Sequence, residues 1–240
     1  MHRITRILLV VALFTSATSL VAQSAGGVAA YTALVVSPPG GLPPTLTNVL
    51  LGRPAASPEF GVRYGQWNDA PITTRDFGAT GRLGIGPKAS VGATAGYVNP
   101  NCAGCEGNWM IGVVADQRYA LASHGSEPDA TTVVYALSED LGFAKPRSSS
   151  GHAISLSVHA PTATVFHRGQ VAIAPFISPG YGFGQTDDGS QTDSGVRPML
   201  GGGIGIANLR SGLGVTISAE RVMMDGAQTV FGASLSVLGR

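Results

Sequence analysis

Residues 213–221 read Leu-Gly-Val-Thr-Ile-Ser-Ala-Glu-Arg, and the character of the side chain changes at almost every step. Val215, Ile217 and Ala219 are apolar, whereas Thr216 and Ser218 between them carry hydroxyl groups and the following Glu220 carries a carboxyl group. Side chains of an extended chain alternate between two faces, so this stretch has one apolar face and one small, polar face. The period of two predicts a β-strand.

The same period recurs from about residue 59 to the end of the chain. It predicts an all-β fold with ten strands, at about 59–67, 75–86, 88–98, 108–121, 131–143, 152–165, 170–184, 196–208, 212–221 and 228–238. The fifth of these is the least regular, because Ser138-Glu139-Asp140 interrupts its alternation. Loss of a strand pair there would leave eight strands.

The composition of the second face separates two all-β architectures. In a soluble sandwich or barrel this face meets water and is normally rich in charged residues. Here it consists of Gly, Ser and Thr with isolated charges, only 12% of all residues are charged, and Lys occurs only at Lys88 and Lys145. Such a face suits a narrow polar lumen, so the apolar face would meet lipid, as in an antiparallel up-and-down transmembrane β-barrel. A soluble all-β protein is the alternative.

The first 57 residues do not share the period of two. Arg3 and Arg6 precede the apolar run 7–14, and small residues follow, which is the order of a secretory signal peptide. We assign residues 1–24 to this signal peptide. Residues 25–57 are a Pro/Gly-rich leader whose repeated prolines exclude a central strand or a helix interior. Residues 58–240 would then form the barrel, outside the cytoplasm.

The lengths of the connections predict an orientation, because bacterial barrels have short periplasmic turns and longer external loops. If the first strand runs outward, the external connections are 68–74, 99–107, 144–151, 185–195 and 222–227. The internal connections are then Pro87, 167–169 and 209–211, which are short, and 122–130, which is longer than the rule expects.

These features resemble the small bacterial outer-membrane β-barrel proteins of the OmpA/OmpX-like superfamily. The resemblance covers about residues 59–240 and the signal peptide, and rests on the strand rhythm, on Gly-rich segments such as Tyr-Gly-Phe-Gly at 181–184, and on the C-terminal strand. It implies a Gram-negative outer-membrane location and insertion by the barrel assembly machinery. Family members usually end in an aromatic residue that this machinery reads. This chain ends Val-Leu-Gly-Arg, so Phe231 would have to supply part of that signal.

Six charged residues fall on the face opposite the large apolar side chains: Arg63, Asp76, Arg82, Asp116, Arg118 and Glu220. A buried charge needs a partner or solvent, so we expect Arg–carboxylate pairs across the lumen. This lumen charge network would either plug the interior or select ions in a pore. A barrel of eight to ten strands is nearly filled by its own side chains, which favours the plug.

Cys-Ala-Gly-Cys at 102–105 is the only cysteine motif in the chain. Zinc or iron–sulfur binding needs further ligands nearby, covalent haem attachment needs a His where Glu106 stands, and a thioredoxin-like motif needs a βαβ unit. In an oxidising compartment, a disulfide between Cys102 and Cys105 that closes the external loop is favoured. We expect no cofactor and no metal.

No motif in the sequence identifies an enzyme. Ser157 and His159 share one face of a strand, but a Ser–His pair also needs an acid and an oxyanion hole. A net charge of +1 without a basic cluster argues against nucleic acid. We therefore expect a non-catalytic barrel with a structural or surface-interaction role. Its expected partners are outer-membrane lipid, the assembly machinery and an unknown ligand at the external loops. A narrow passive pore is the alternative, and a lipid-modifying barrel enzyme is a further one.

Overall fold

The computed structural model describes residues 58–69, 72–86, 88–101, 108–125, 129–145, 152–187, 192–223 and 229–237. The expected signal peptide, the leader and the cysteine pair at 102 and 105 lie outside these ranges. No helix among the described residues has the length and apolarity needed to cross a bilayer.

Eleven strands occupy the described residues. They are β1 Pro58–Asp69, β2 Ile72–Gly86, β3 Ala89–Asn101, β4 Asn108–His124, β5 Thr131–Lys145, β6 His152–His159, β7 Thr162–Arg168, β8 Val171–Asp187, β9 Thr192–Asn208, β10 Leu213–Val222 and β11 Thr229–Val237.

The strands form one antiparallel sheet that closes on itself. Each strand pairs with its neighbours along the chain, and β1 pairs with β11, which closes the barrel. β6 and β7 together fill one position, because both lie between β5 and β8. The barrel thus has ten strand positions, which confirms the up-and-down barrel predicted from the period of two.

The sixth predicted strand is interrupted at Pro161, which has no backbone N–H to donate to its neighbour. The register does not change across the interruption: on β5, Ser138 pairs with His159 before it and Tyr135 pairs with Thr162 after it. Three residues therefore separate the two pairs on each strand. The interruption is a missing hydrogen bond and not an inserted residue.

The fifth predicted strand is more regular than its sequence indicates. β5 keeps its alternation through the polar triplet, since Ser138 and Asp140 are buried inside the barrel and Glu139 is exposed outside. The eight-strand alternative is therefore wrong. The triplet weakens the sequence signal only because its outward residue is charged.

Several strands run beyond their predicted ends. Asn99 to Asn101 continue β3 and pair with β2. Asp187 pairs with Thr192, so strand pairing between β8 and β9 continues into the acidic segment after Gln185. β4 runs to His124, which shortens the long internal connection. The predicted loop bounds are wrong at these places because main-chain pairing continues past the last alternating apolar residue.

The register defines the tilt of the strands. Starting from Tyr64 on β1, the residues paired with it on β2, β3 and β4 lead to Lys145 on β5. In the other direction, the paired residues on β11, β10, β9, β8 and β7 lead to Tyr135, which is also on β5. These two positions lie ten residues apart on the same strand. A stagger of ten residues over ten strand positions corresponds to a tilt of about 35°.

Tight turns mark one end of the barrel as periplasmic. Gly125, Gly169 and Gly212 there have φ values of 86°, 57° and 72°, a left-handed region in which Gly is favoured. The β9–β10 turn is held by the Asn208 side chain, whose Oδ1 accepts hydrogen bonds of 3.0 Å from two following backbone N–H groups. By the usual rule for bacterial barrels, the opposite end, with the longer connections, is external.

Candidate functional site in the barrel interior

The centre of the interior is organised around Asp116 on β4. The hydroxyls of Ser90 and Ser138, on the two neighbouring strands, donate hydrogen bonds of 2.8 and 2.6 Å to its carboxylate. Arg82 Nε lies 3.1 Å from Asp116 Oδ2, and the two side chains are 2% and 0% exposed. Two hydroxyls and a guanidinium therefore hold this carboxylate from three sides, which is what a buried charge requires.

Arg82 also lies beside a second acid. Glu59 on β1 is directly opposite Arg82 in the register, and both residues are buried inside the barrel. Opposite residues on antiparallel strands have Cβ atoms about 5 Å apart, within reach of their charged ends. Arg82 on β2 thus lies between two acids, its ion-pair partner Asp116 on β4 and the register partner Glu59 on β1.

A second buried pair joins β6 to β10. His159 Nδ1 lies 3.3 Å from Glu220 Oε2, and the side chains are 2% and 1% exposed. Gly180, opposite His159 on β8, makes room for the imidazole, since a Cβ at this position would lie 2.7 Å from His159 Nδ1. The missing side chain on β8 thus allows the ring to lie inside the barrel.

The six residues predicted for the lumen charge network are not all brought together. Arg82 and Asp116 form one pair, Glu220 joins a histidine, and Arg118 is half-buried nearer the periplasmic end. Arg63 and Asp76 lie in β1 and β2, but their side chains fall outside the described residues.

Three interior residues were missed by the sequence reasoning: Glu59, Asp140 and His159. Glu59 is the second residue of its strand, so too little alternation precedes it to assign a face. Asp140 belongs to the polar triplet at 138–140, in which inward and outward residues cannot be told apart by polarity. His159 could have been placed inward with Ser157 by alternation, but its pairing with an acid 61 positions away depends on register, which the sequence does not display.

Toward the periplasm, the interior face of β5, β7 and β8 is apolar. This layer consists of side chains from β5, β7 and β8, with Leu209 packed against it: Val134, Ala136, Ala163, Val165, Ala172, Ala174 and Phe176. On β8 these residues come before Ser178 and Gly180, and on β5 they come before Ser138 and Asp140. The Phe176 ring reaches across toward β9, where a Cβ at Gly203 would lie 3.0 Å from Cζ. Charged residues from β2 and β4 and the apolar layer from β5, β7 and β8 thus occupy different sides of the barrel interior.

The outer surface has the opposite character. Large apolar side chains project outward from every strand position around the barrel, among them Phe60, Val91, Ile111, Leu141, Ile177, Ile206, Ile217 and Leu235, and most are about half exposed. A water-soluble protein does not present a continuous apolar surface around its whole circumference.

Aromatic residues border this apolar surface at both ends. On the external side, Phe77, Tyr97 and Trp109 lie on consecutive strands, and Phe143 on β5 lies at a similar depth. Tyr64 and Phe231 continue the same row of paired residues but lie deeper in the belt, because the strands are tilted. On the periplasmic side, the Tyr119 and Tyr135 rings are in contact at 6.0 Å. Trp109 and Tyr119 both face outward on β4, ten residues apart, which is about 27 Å along the barrel axis at the observed tilt. The apolar band of an outer-membrane barrel is about 25 Å tall and is flanked by aromatic girdles.

This chain is a small outer-membrane β-barrel protein. A closed barrel with a polar interior, an apolar belt of membrane thickness and aromatic borders is built to span the outer membrane of a Gram-negative envelope. The resemblance found in the sequence is therefore confirmed for fold and location.

No protein-family model and no curated protein matches the chain. Solved structures of similar architecture include Ail, the attachment invasion locus protein of Yersinia pestis, with 16% identity and a TM-score of 0.34 over 77% of this chain and 96% of Ail. The outer membrane enzyme PagL has 12% identity and a TM-score of 0.35 over 75% of this chain and 98% of PagL. The transport unit of the autotransporter AIDA-I from Escherichia coli has 12% identity and a TM-score of 0.40 over 80% of this chain and 94% of that unit. Similarity at this level does not extend to activity.

Proposed function

We propose that this protein is a closed, non-catalytic barrel that anchors its external connections in the outer membrane and presents them to a surface partner. The observation that carries the proposal is the filled interior. Phe176 and Val134 in the apolar layer are 5% and 0% exposed, and the side chains of the Arg82–Asp116 pair on other strands are 2% and 0% exposed. A continuous water path for ions would have to pass between these buried side chains.

The narrowness of the barrel supports the same proposal. A barrel of about eight strands is just wide enough to be filled by side chains, and aqueous channels appear at 16–18 strands. Ten strand positions are close to the lower figure. A narrow passive pore is the second candidate, and a conductance measurement distinguishes it from the closed barrel.

The interior histidine does not favour catalysis. His159 is paired with Glu220, and Ser157 is two residues away on the same face, so three groups typical of a hydrolase lie on the interior side of the wall. Ser157 and His159 are 0% and 2% exposed. A lipid substrate outside the barrel cannot contact either side chain, and therefore we assign this group to interior packing.

The experiment that tests the proposal is conductance in planar bilayers. The unmodified protein should insert without steady channels, whereas a variant combining Arg82→Ala with Phe176→Ala should leak, because it removes one side chain from the charged pair and one from the apolar layer. Insertion is verified in both cases by the shift between unboiled and boiled samples on a gel. Steady, ion-selective conductance of the unmodified protein would reject the closed barrel and support the pore.

The surface role requires a separate test. The external connections that the sequence analysis singled out are 99–107 and the acidic segment after Gln185, and in the structure their flanking residues belong to paired strands. Paired strands of the barrel therefore hold the flanks of both segments. Replacing the tip of either segment with a short Gly-Ser linker should leave the heat-dependent gel shift unchanged but reduce cell-surface attachment in a binding assay. Unchanged attachment for both replacements would reject a surface-interaction role at these tips.

A further inference from the structure

Two oppositely charged residues on the lipid-facing surface have no partner among the described residues. Glu139 on β5 and Arg221 on β10 both face outward and are exposed. Glu139 lies midway along its strand between Tyr135 and Phe143, which are four residues away on either side and belong to the two aromatic borders. A charge at this depth is unfavourable in lipid, so an outward carboxylate in the belt calls for a polar partner.

The register shows that the two charges lie at similar depth. The stagger of ten residues over ten strand positions means that a line of constant depth shifts by one residue at each strand. The row of neighbours that starts at Glu139 passes through Val158, Tyr181 and Pro198 and reaches β10 at Met223. The path from β5 to β10 takes four strand steps, so the residue of β10 that lies at the depth of Glu139 is four residues before Met223. This residue is Ala219. Arg221 is two residues from there, about 5 Å closer to the external surface.

The two residues lie on different sides of the same barrel. β5 and β10 are four strand positions apart out of ten, so Glu139 cannot reach Arg221 of its own chain. In two copies standing side by side in the membrane, however, the long Arg221 side chain of one can extend 5 Å inward to Glu139 of the other. Away from water, such a charge-assisted contact is stronger than at a wet surface.

We propose that copies of this protein associate side by side in the membrane, with Arg221 of one copy paired with Glu139 of the next. The contact uses two different patches, so it is heterologous and builds rows or rings instead of a single symmetric dimer. Arg75, another exposed arginine on the outer surface, is a natural control. The paired positions Arg221, Thr229, Gln66 and Arg75 cross three strand steps, which places Arg75 about 8 Å closer to the external surface than Arg221.

Cysteine cross-linking in intact outer membranes tests the proposal. The cysteines are placed beside the charged pair, at Leu137 on β5 and Ile217 on β10, which face outward at equal depth, so that Glu139 and Arg221 are kept. In a Cys102→Ser, Cys105→Ser background, the chain carrying both Leu137→Cys and Ile217→Cys should give a ladder of cross-linked species with a short bismaleimide. Each single variant alone should stay monomeric, and the two single variants expressed together should give one dimer band. The pair Leu137→Cys with Arg75→Cys should give at least tenfold less cross-linked product. The heat-dependent gel shift verifies that every variant is folded.

Two results would overturn the proposal. A dimer formed by Leu137→Cys alone would indicate a symmetric contact, and folded monomer in every combination would indicate no association. A charge exchange provides a test without cysteine. Glu139→Arg and Arg221→Glu should each reduce the oligomer fraction on native gels, and the doubly exchanged chain should recover it. Failure of the double exchange to recover oligomers, while the unmodified protein forms them, would also reject the pairing.

Discussion

The substitution Arg82→Met probes the interior most directly, because it removes a buried cation while keeping most of the side-chain volume. Asp116 would lose its guanidinium partner and keep the two serine hydrogen bonds of 2.8 and 2.6 Å. Glu59, opposite Arg82 in the register, would lose the neighbouring positive charge as well. The change therefore leaves two acids in a buried space without the cation between them.

The structure gives the size of the effect. The side chains of Arg82 and Asp116 are 2% and 0% exposed, so water cannot take the place of the lost partner. Breaking a buried ion pair by removing one partner costs about 3–5 kcal/mol. The serine hydrogen bonds remain and offset part of this cost, so we expect the lower end, about 3 kcal/mol. The matched control Arg168→Met removes an exposed arginine at the periplasmic end and should cost less than about 0.5 kcal/mol.

Urea-induced unfolding in lipid vesicles measures these differences, with Trp fluorescence as the signal, since Trp109 faces lipid in the folded barrel. The double variant Arg82→Met with Asp116→Asn completes a thermodynamic cycle. Its cost should be smaller than the sum of the two single costs, because Asn is neutral and keeps both serine contacts. A cost below about 1 kcal/mol for Arg82→Met, or strict additivity in the cycle, would refute the argument that this pair holds the interior.

Two further substitutions test the assigned faces and the close packing of the interior. Ile217→Arg on the lipid face should destabilise the barrel by about 2–4 kcal/mol if it lies near the bilayer midplane. Ser218→Arg should instead act through crowding beside Glu220 inside the barrel. Equal unfolding curves for Ile217→Arg and the unmodified protein would contradict the assignment of Ile217 to the lipid face. Gly180→Ala should lower the unfolding midpoint, because its Cβ would lie 2.7 Å from His159 Nδ1, while Gly81→Ala, whose nearest neighbour is the Phe60 ring at 3.7 Å, should not. Similar midpoints for the two alanine variants would show that His159 moves aside without cost.

The sequence predicted the barrel because most strands contrast an apolar outer face with a small or polar inner one. β10 shows this contrast in nearly every residue. The apolar interior layer was not predicted, because Val134 and Phe176 face inward while their neighbours Val133 and Ile177 are also apolar. Where both faces are apolar, a period of two disappears. The strands β5 and β7 that build this layer are, for this reason, harder to recognise.

The interior contacts depend on a second kind of information. Ser90, Asp116 and Ser138 are 26 and 22 residues apart in sequence and meet because β3, β4 and β5 pair in one register. Alternation assigns each of these residues to the inner face but does not say which lie at the same level. Shifting one strand by two residues would keep every face and break every contact. Candidate residues were therefore found more readily than their partners.

The central claim is that alternate residues of each strand face a closed interior and a lipid-facing apolar belt. Spin labels placed one at a time at positions 213–219 of β10, in the protein reconstituted into lipid vesicles, test it through their collision rates with dissolved oxygen, which concentrates in the bilayer. The account predicts a period of two, with high oxygen accessibility at Leu213, Val215, Ile217 and Ala219 and low accessibility between them. Maxima at Gly214, Thr216 and Ser218, or no alternation at all, would contradict the account.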